Sequence, residues 1–225
     1  MAAPRALVLQ HEPAGPPAII GEQAAAHGIA VETVLVPRVD ELPDPVNYAL
    51  IVTLGASPSA NHVHVPWIAR EKALLNLAVE HDVPVLGICF GGQLLATVLG
   101  GQVRRGARPE IGWHAIETRD PDLVPPGPWL EWHFEVFDVP PGATELARSP
   151  VGPQAYVKGR HMGVQFHPEV TPELVGIWVA EFGKELVRAG VDADSMIADS
   201  ARYGAGARAA AAHLFDAFHA RVMAR

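Results

Sequence analysis

The chain contains one cysteine, Cys89, and its sequence neighbours suit a nucleophile. It lies in the segment Gly87-Ile88-Cys89-Phe90-Gly91-Gly92-Gln93, between an apolar run and the helix-like residues 94–99. A cysteine on a tight strand-to-helix turn is held above the end of a sheet, and small neighbours let the backbone pack closely around it. The helix N-terminus favours the thiolate and offers the N–H of Phe90 to an oxyanion. The alternative is a cysteine that only packs, but packing does not require a glycine two residues to either side.

A second candidate motif is Gly163-Val164-Gln165-Phe166-His167-Pro168-Glu169. A short predicted strand ends at His167, and a carboxylate follows two residues later. His167 is suited to take a proton from Cys89 and to return one to a leaving amine, while Glu169 accepts from the far ring nitrogen. Alone, His-Pro-Glu would equally suit the start of a helix. Together with the cysteine turn, it predicts a Cys-His-Glu triad for acyl transfer.

The elements around these motifs predict an α/β fold. Apolar runs alternate with helix-like stretches at residues 17–27 and 67–81, which favours a mostly parallel sheet with helices on both faces. After Gly101 the runs are shorter and are separated by Pro, Gly and Asp, which predicts a more antiparallel extension of the same sheet. The early strands are predicted at residues 6–9, 30–36, 48–54 and 83–88, and the later ones at 113–117, 130–136, 155–157 and 162–165.

Two helices are predicted near the C-terminus. Thr171-Pro172-Glu173 combines an N-cap residue, a proline for the first helical position and a carboxylate for the positive end of the dipole, so a helix should begin here and run to about Ala189. The alanine-rich residues 198–225 carry one apolar stripe, which favours packing on the chain's own core over the alternative, a homodimer contact. The stripe consists of Ala207, Ala211, Leu214, Phe218 and Val222.

Composition narrows the function classes. The chain has 225 residues, 49% of them apolar, which suits one large domain. Its net charge of −8 argues against nucleic-acid binding, which needs a cationic face. A single cysteine forms no internal disulfide, residues 6–9 are too short for a secretory signal, and the uncharged residues 83–103 are interrupted by Pro84 and glycines. We therefore expect a cytoplasmic protein without a membrane contact. The histidines show no metal-ligand spacing, and no metal or cofactor is expected.

The two motifs together resemble class I, triad-type glutamine amidotransferases, and in particular the stand-alone GMP-synthase-like members. The resemblance covers most of residues 7–182 and includes Leu9-Gln10-His11, Glu110-Ile111-Gly112-Trp113 and Pro140-Pro141-Gly142-Ala143. It implies a flavodoxin-like α/β fold and hydrolysis of glutamine to glutamate and ammonia through a thioester on Cys89. We expect residues 1–190 to form the amidotransferase-like domain and residues 191–225 a helical extension packed on it.

The resemblance also implies further site residues. The backbone N–H groups of Ala56 and Phe90 would form the oxyanion hole, and the substrate would be held by Gly55, Gln93, His133 and Phe134. The chain departs from the family where two glycines are usual, at Gly55-Ala56, and alanine costs about 1 kcal/mol there if the loop needs a positive φ. It also has Phe134 in place of a small residue and Glu135 in place of Asp. The Phe134 ring would either narrow the pocket or turn away and leave only its backbone to the substrate.

The sequence leaves the substrate and partner open. It contains no Gly-x-x-x-x-Gly-Lys-Ser/Thr phosphate loop and no fused synthetase, so ammonia would pass to a separate synthetase subunit. The other possibility is that the protein alone hydrolyses a small γ-glutamyl peptide or γ-glutamyl polyamine. The hypothesis from another class is a non-catalytic regulator that binds a ligand or partner on the same fold. A complete Cys-His-Glu set counts against that hypothesis, because a binding protein needs none of the three.

Overall fold

The computed structural model describes residues 3–62 and 64–223, so the outer ends of the two predicted units, residues 1–2 and 224–225, lie outside it. The strands of the described residues are β1 (Arg5–Gln10), β2 (Ala30–Leu35), β3 (Leu50–Thr53), β4 (Val85–Ile88), β5 (Val103–His114), β6 (Glu117–Thr118), β7 (Trp129–Phe137), β8 (Thr144–Arg148), β9 (Pro153–Lys158) and β10 (His161–Val164). The helices are α1 (Ala18–Ala26), α2 (Pro66–Glu80), α3 (Phe90–Val98), α4 (Pro172–Ala189) and α5 (Ala193–Met223).

The main sheet has eight strands in the order β2-β1-β3-β4-β10-β9-β8-β6. From β2 to β10 all neighbours are parallel, and from β10 to β6 they are antiparallel. The predicted α/β fold, with a mostly parallel sheet and an antiparallel extension, is therefore confirmed. Because parallel neighbours end at the same edge, the carboxyl ends of β1, β3, β4 and β10 lie side by side, and the candidate site forms there.

Two of the later runs form a separate sheet instead of extending the main one. β5 and β7 pair antiparallel with each other, from Val103 opposite Phe137 to His114 opposite Trp129. The prediction that residues 130–136, and 113–114 of the run 113–117, join the main sheet was wrong. The two strands are long enough for their backbone hydrogen-bonding groups to pair with each other. Their side chains Ile111 and Leu130 pack in a cluster with residues of α4 and not in the cores of the main sheet. The alternation of apolar and polar residues along a strand shows which side chains are buried, but it does not show which sheet the strand joins.

Helices cover both faces of the main sheet. Along β1 the buried side chains alternate: Ala6 and Val8 pack on one face, Leu7 and Leu9 on the other. The first face is covered by α1 and α5, and the second by α2 and α3. The α5 side chains that bury themselves on the first face are Ala211, Leu214, Phe215, Phe218 and Val222. In the described part of the chain, none of the helices combines the length and apolarity that crossing a membrane requires.

The helix α4 begins as its sequence predicts. Thr171 Oγ1 accepts a hydrogen bond from the Leu174 N–H at 3.2 Å, and Pro172 occupies the first turn. The helix ends at Gly190, whose φ of 70° is the left-handed conformation that glycine adopts without strain. At Phe182 the backbone leaves helical geometry, with φ −108° and ψ 16°. This kink lies where the helix passes the candidate site.

Candidate active site

Cys89 is the single residue between β4 and α3, on the strand-to-helix turn that the sequence predicts. Its φ of 52° and ψ of −111° are a strained backbone conformation for a residue with a side chain. The turn depends on close backbone contact: a Cβ on Gly91 would lie 2.1 Å from the Thr53 carbonyl oxygen. A Cβ on Gly92 would lie 2.5 Å from the Val164 carbonyl oxygen. The glycines therefore let the N-terminus of α3 sit directly on strands β3 and β10.

His167 and Glu169 form a buried pair beside this turn. His167 Nδ1 lies 2.7 Å from Glu169 Oε1, and the two residues are 5% and 2% exposed. Trp178 of α4 packs its ring edge-to-face against His167, with centroids 4.8 Å apart. Gly55 brings the parts together, because a Cβ there would lie 3.0 Å from His167 Cε1 and 3.8 Å from Cys89 Cβ. Cys89 and His167 therefore both lie beside Gly55 in the loop after β3, and Glu169 adjoins them through its contact with His167.

The surroundings of His167 favour its charged form. Burial alone lowers the pKa of an imidazole, but the charge of Glu169 and the interactions with Cys89 outweigh burial and raise the pKa of His167 well above its ordinary value. An imidazolium at this position could protonate a leaving amine, and a positive charge beside a cysteine favours the thiolate, which is the attacking species in cysteine chemistry.

Gln165 is a site residue that the sequence analysis missed. Its side chain is fully buried, and its Nε2 lies 3.8 Å from the Cys89 sulfur. Its Oε1 accepts a hydrogen bond from Gln93 Nε2 at 3.2 Å, and Gln93 also donates to the Glu135 carbonyl oxygen at 3.0 Å. Both amides are therefore held in place next to the thiol. The only sequence signal for Gln165 is its position two residues before His167.

A pocket of about 360 Å³ opens over Cys89. It is lined by every site residue that the sequence predicts and by several that it does not. The predicted lining residues are Gly55, Ala56, Cys89, Phe90, Gln93, His133, Phe134, His167 and Glu169. The further residues include Glu12, Ser59, Arg105, Trp132, Trp178, Phe182 and Glu185. The pocket thus lies between the main sheet, the small sheet and the kink of α4, and this size suits a small-molecule ligand.

Sequence comparison assigns the family. The family described as Glutamine amidotransferase class-I matches residues 28–181, more than half of the chain. The chain belongs to the class-I glutamine amidotransferases. The resemblance drawn from the Cys89 and His167 motifs is therefore confirmed, and the members of this family are enzymes.

Curated relatives extend the comparison. The glutamine-hydrolyzing GMP synthase subunit of Pyrococcus abyssi is 33% identical over 171 residues, which are 71% of this chain and 84% of the relative. The glutamine-hydrolyzing GMP synthase of Aeropyrum pernix is 35% identical over 161 residues, which are 68% of this chain. That match spans only 30% of the Aeropyrum protein.

Solved structures support the same assignment. A glutamine amidotransferase from Thermotoga maritima superposes with a TM-score of 0.88 at 26% identity, over 97% of this chain and 99% of that one. A glutamine amidotransferase from Methylobacillus flagellatus gives the same TM-score at 28% identity, over 97% and 95% of the two chains.

The loop after β3, which the family resemblance implies as part of an oxyanion hole, accommodates Ala56 without backbone strain. The described non-glycine residues with positive φ are Ala18, Asp82 and Cys89, so Ala56 adopts an ordinary conformation. Because Ala56 does not have a positive φ, the cost of about 1 kcal/mol that a left-handed conformation would impose on an alanine does not apply. Phe90 is the first residue of α3, so its N–H has no partner within the helix and remains suited to an oxyanion.

His133 contributes to the pocket lining, and its buried ring lies between two glutamates. Its Nε2 is 3.3 Å from Glu110 Oε2 and 3.2 Å from Glu131 Oε2, and its Nδ1 is 3.0 Å from the Glu135 carbonyl oxygen. Burial lowers the pKa of His133, but the two carboxylates outweigh it and raise the pKa to about 10. For Glu131 burial dominates, and its pKa is raised. Both ring nitrogens therefore contact protein groups, and the charged ring links β5 to β7.

This buried cation predicts a pH dependence of stability. Since the pKa of His133 is about 10 in the folded protein and ordinary in the unfolded chain, its stabilisation is complete below pH 6.5 and is lost as the pH rises towards 10. We expect the free energy of unfolding to fall between pH 7 and pH 10 by on the order of 3 kcal/mol more in the wild type than in His133→Gln. Urea unfolding at both pH values measures this difference. Equal losses in the two proteins would contradict the charged state of His133.

Proposed function

We propose that this amidotransferase hydrolyses a γ-glutamyl amide, with glutamine as the leading substrate. The Cys89 sulfur attacks the γ-carbonyl carbon, and His167 delivers a proton to the departing amine, so that ammonia and a glutamyl thioester form. Water then attacks the thioester, with His167 taking one of its protons, and glutamate and the Cys89 thiol are released. Glu169 holds the imidazole in the required tautomer and stabilises its charged form.

One observation carries this proposal. A strained cysteine, a buried imidazole and its carboxylate partner line a single pocket of about 360 Å³. Strain at Cys89 and burial of an ionisable pair both cost stability, and such costs concentrate at functional sites. A non-catalytic regulator would have no use for the two together.

The relatives support the choice of glutamine and the existence of a partner. The matched curated proteins are named as glutamine-hydrolyzing, and the Pyrococcus protein is named as one subunit of a GMP synthase. We therefore propose that the ammonia passes to a separate synthetase subunit. Hydrolysis of a γ-glutamyl peptide or polyamine by this chain alone is the second candidate, because the pocket lining includes both Arg105 and the carboxylates Glu12 and Glu185, which could bind a charged leaving group.

A substrate panel tests the proposal. Ammonia or amine release is measured from glutamine, a γ-glutamyl peptide, a γ-glutamyl polyamine and asparagine, with and without prior alkylation of Cys89 by iodoacetamide. We expect alkylation-sensitive turnover of glutamine and none of asparagine, whose carbonyl is one methylene short of the reactive position. If kcat/KM for a γ-glutamyl peptide or polyamine is at least tenfold higher than kcat/KM for glutamine, that compound and not glutamine is the preferred substrate. Ligand binding without turnover of any member would favour the regulator.

Phe134 is expected to leave glutamine hydrolysis largely unaffected. Its ring packs against the apolar cluster between the small sheet and α4, and the Arg105 guanidinium carbon lies 5.7 Å from the ring centroid. Phe134→Gly should therefore change kcat/KM for glutamine by less than about threefold while lowering thermal stability. Steady-state kinetics and a thermal melt measure both effects. A clear rise in kcat/KM would show instead that the ring obstructs the pocket.

A further inference from the structure

His11 is a buried histidine outside the triad, located directly after β1. It is 5% exposed, and its ring lies between Trp67, stacked at 5.1 Å between centroids, and Phe90, edge-on at 5.0 Å. It belongs to the Leu9-Gln10-His11 motif, which the proposed chemistry leaves without a role. A purely apolar side chain could fill this space, so the polar atoms of His11 call for an explanation.

Both ring nitrogens of His11 have partners. Nε2 lies 2.7 Å from Glu71 Oε2, and Nδ1 lies 3.0 Å from the Gly55 carbonyl oxygen. The other Glu71 oxygen accepts from Thr53 Oγ1 at 2.5 Å, so the carboxylate is itself held. Burial lowers the pKa of His11, but the buried Glu71 carboxylate outweighs it and raises the pKa. A carbonyl oxygen and a carboxylate oxygen both accept, so the two contacts are best satisfied when both ring nitrogens donate, and the raised pKa agrees with this arrangement.

The bond to Gly55 fixes one peptide plane. The Gly55–Ala56 bond is trans, and in a trans peptide the C=O and the following N–H point in opposite directions. With the Gly55 carbonyl turned to His11, the Ala56 N–H points to the opposite side. The loop is also held just before this peptide, because Leu54 donates to the Leu9 carbonyl and accepts from the Gly91 N–H. Gly55 and Ala56 both line the pocket over Cys89.

We propose that His11 is a positioning residue that holds the Ala56 N–H towards the oxyanion by binding the opposite end of its peptide. This inference rests on the proposed hydrolysis. A preorganised donor stabilises the oxyanion without reorganising during the reaction, and removal of one such donor typically lowers kcat by about 10²–10³-fold. Loss of the His11 bond frees the peptide to rotate, so kcat should fall while substrate binding changes little.

Two isosteric variants separate positioning from support of the fold. Asparagine carries its amide nitrogen near the place of Nδ1, and glutamine carries its own near the place of Nε2. His11→Asn therefore keeps a donor for Gly55 but leaves Glu71 unpaired, whereas His11→Gln keeps a partner for Glu71 and loses Gly55. We expect His11→Asn to be the less stable protein yet to retain kcat within about fivefold. We expect His11→Gln to be the more stable one, with kcat lowered about 10²-fold and KM within about threefold.

The readouts are glutamine kcat and KM, the urea midpoint, and the rate of Cys89 alkylation by iodoacetamide, which should match the wild type in both variants. Equal kcat in the two variants, or kcat that follows stability, would overturn the proposal. If only one variant folds, an active His11→Gln or an inactive His11→Asn is sufficient to overturn it. If neither folds, His11 is required for the fold and the proposal also fails. Absence of Cys89-dependent turnover in the wild type would instead defeat the proposed function itself.

Discussion

Replacement of Cys89 by alanine is expected to abolish ammonia release from glutamine, with a loss of at least about 10⁴-fold in kcat. The sequence contains no second cysteine that could replace it. Cys89→Ser should be equally inactive, because a hydroxyl is a far weaker nucleophile than a thiolate. Ammonia release coupled to a dehydrogenase assay measures the loss, and circular dichroism checks that each variant is folded.

Matched controls make this prediction specific. His62 also lines the pocket but contacts none of the triad residues through a described hydrogen bond or ion pair, so His62→Ala should retain kcat within a few-fold. Turnover in purified Cys89→Ala above one-hundredth of the wild-type rate would rule out the thioester mechanism.

Removal of His167 is expected to lower kcat more than removal of Glu169. His167→Ala deletes the group that carries protons between Cys89, the leaving amine and water, and we expect a loss of about 10³–10⁴-fold. Glu169 only orients and charges the ring through its 2.7 Å contact, so Glu169→Ala should retain about tenfold more activity than His167→Ala. Single-turnover kinetics with each variant measure both losses.

The pKa of His167 gives a second readout for the same pair. Since Glu169 helps to raise that pKa, its removal should shift the alkaline limb of the kcat/KM profile to lower pH. Glu169→Gln is the matched control, because it retains a hydrogen-bonding group but not the charge, and it should show a similar shift. Activity of Glu169→Ala as low as that of Cys89→Ala, in a folded protein, would require a direct chemical role for the carboxylate.

The parts of the fold that the sequence predicts are those that local rules determine. The cap at Thr171 and the strand–helix alternation before Gly101 act through neighbours in the chain, and the glycines around Cys89 can be recognised from their positions beside it in the sequence, although the carbonyls that they approach lie on distant strands. The placement of Cys89 on its turn follows from the same local pattern, because a buried strand leads directly into a helix. These features were therefore accessible without the structure.

The missed features depend on contacts between distant segments. Gln165 reaches Cys89 from another strand, and His11 meets Glu71 of α2 only after the sheet has formed. The pairing of β5 with β7 depends equally on which core receives them. The sequence shows that Gln165 and His11 are polar residues next to apolar ones, but it does not show which residues they contact, because tertiary packing determines those contacts.

The most direct test of the central claim is covalent trapping of Cys89 by a glutamine-like chloroketone. The proposed mechanism predicts that one equivalent modifies Cys89, that activity falls in proportion to modification, and that saturating glutamine slows both. Peptide mass spectrometry locates the adduct, and residual ammonia release gives the activity. Complete inactivation with Cys89 unmodified, or modification of Cys89 in a protein that keeps full activity, would contradict a mechanism in which this thiol attacks the substrate.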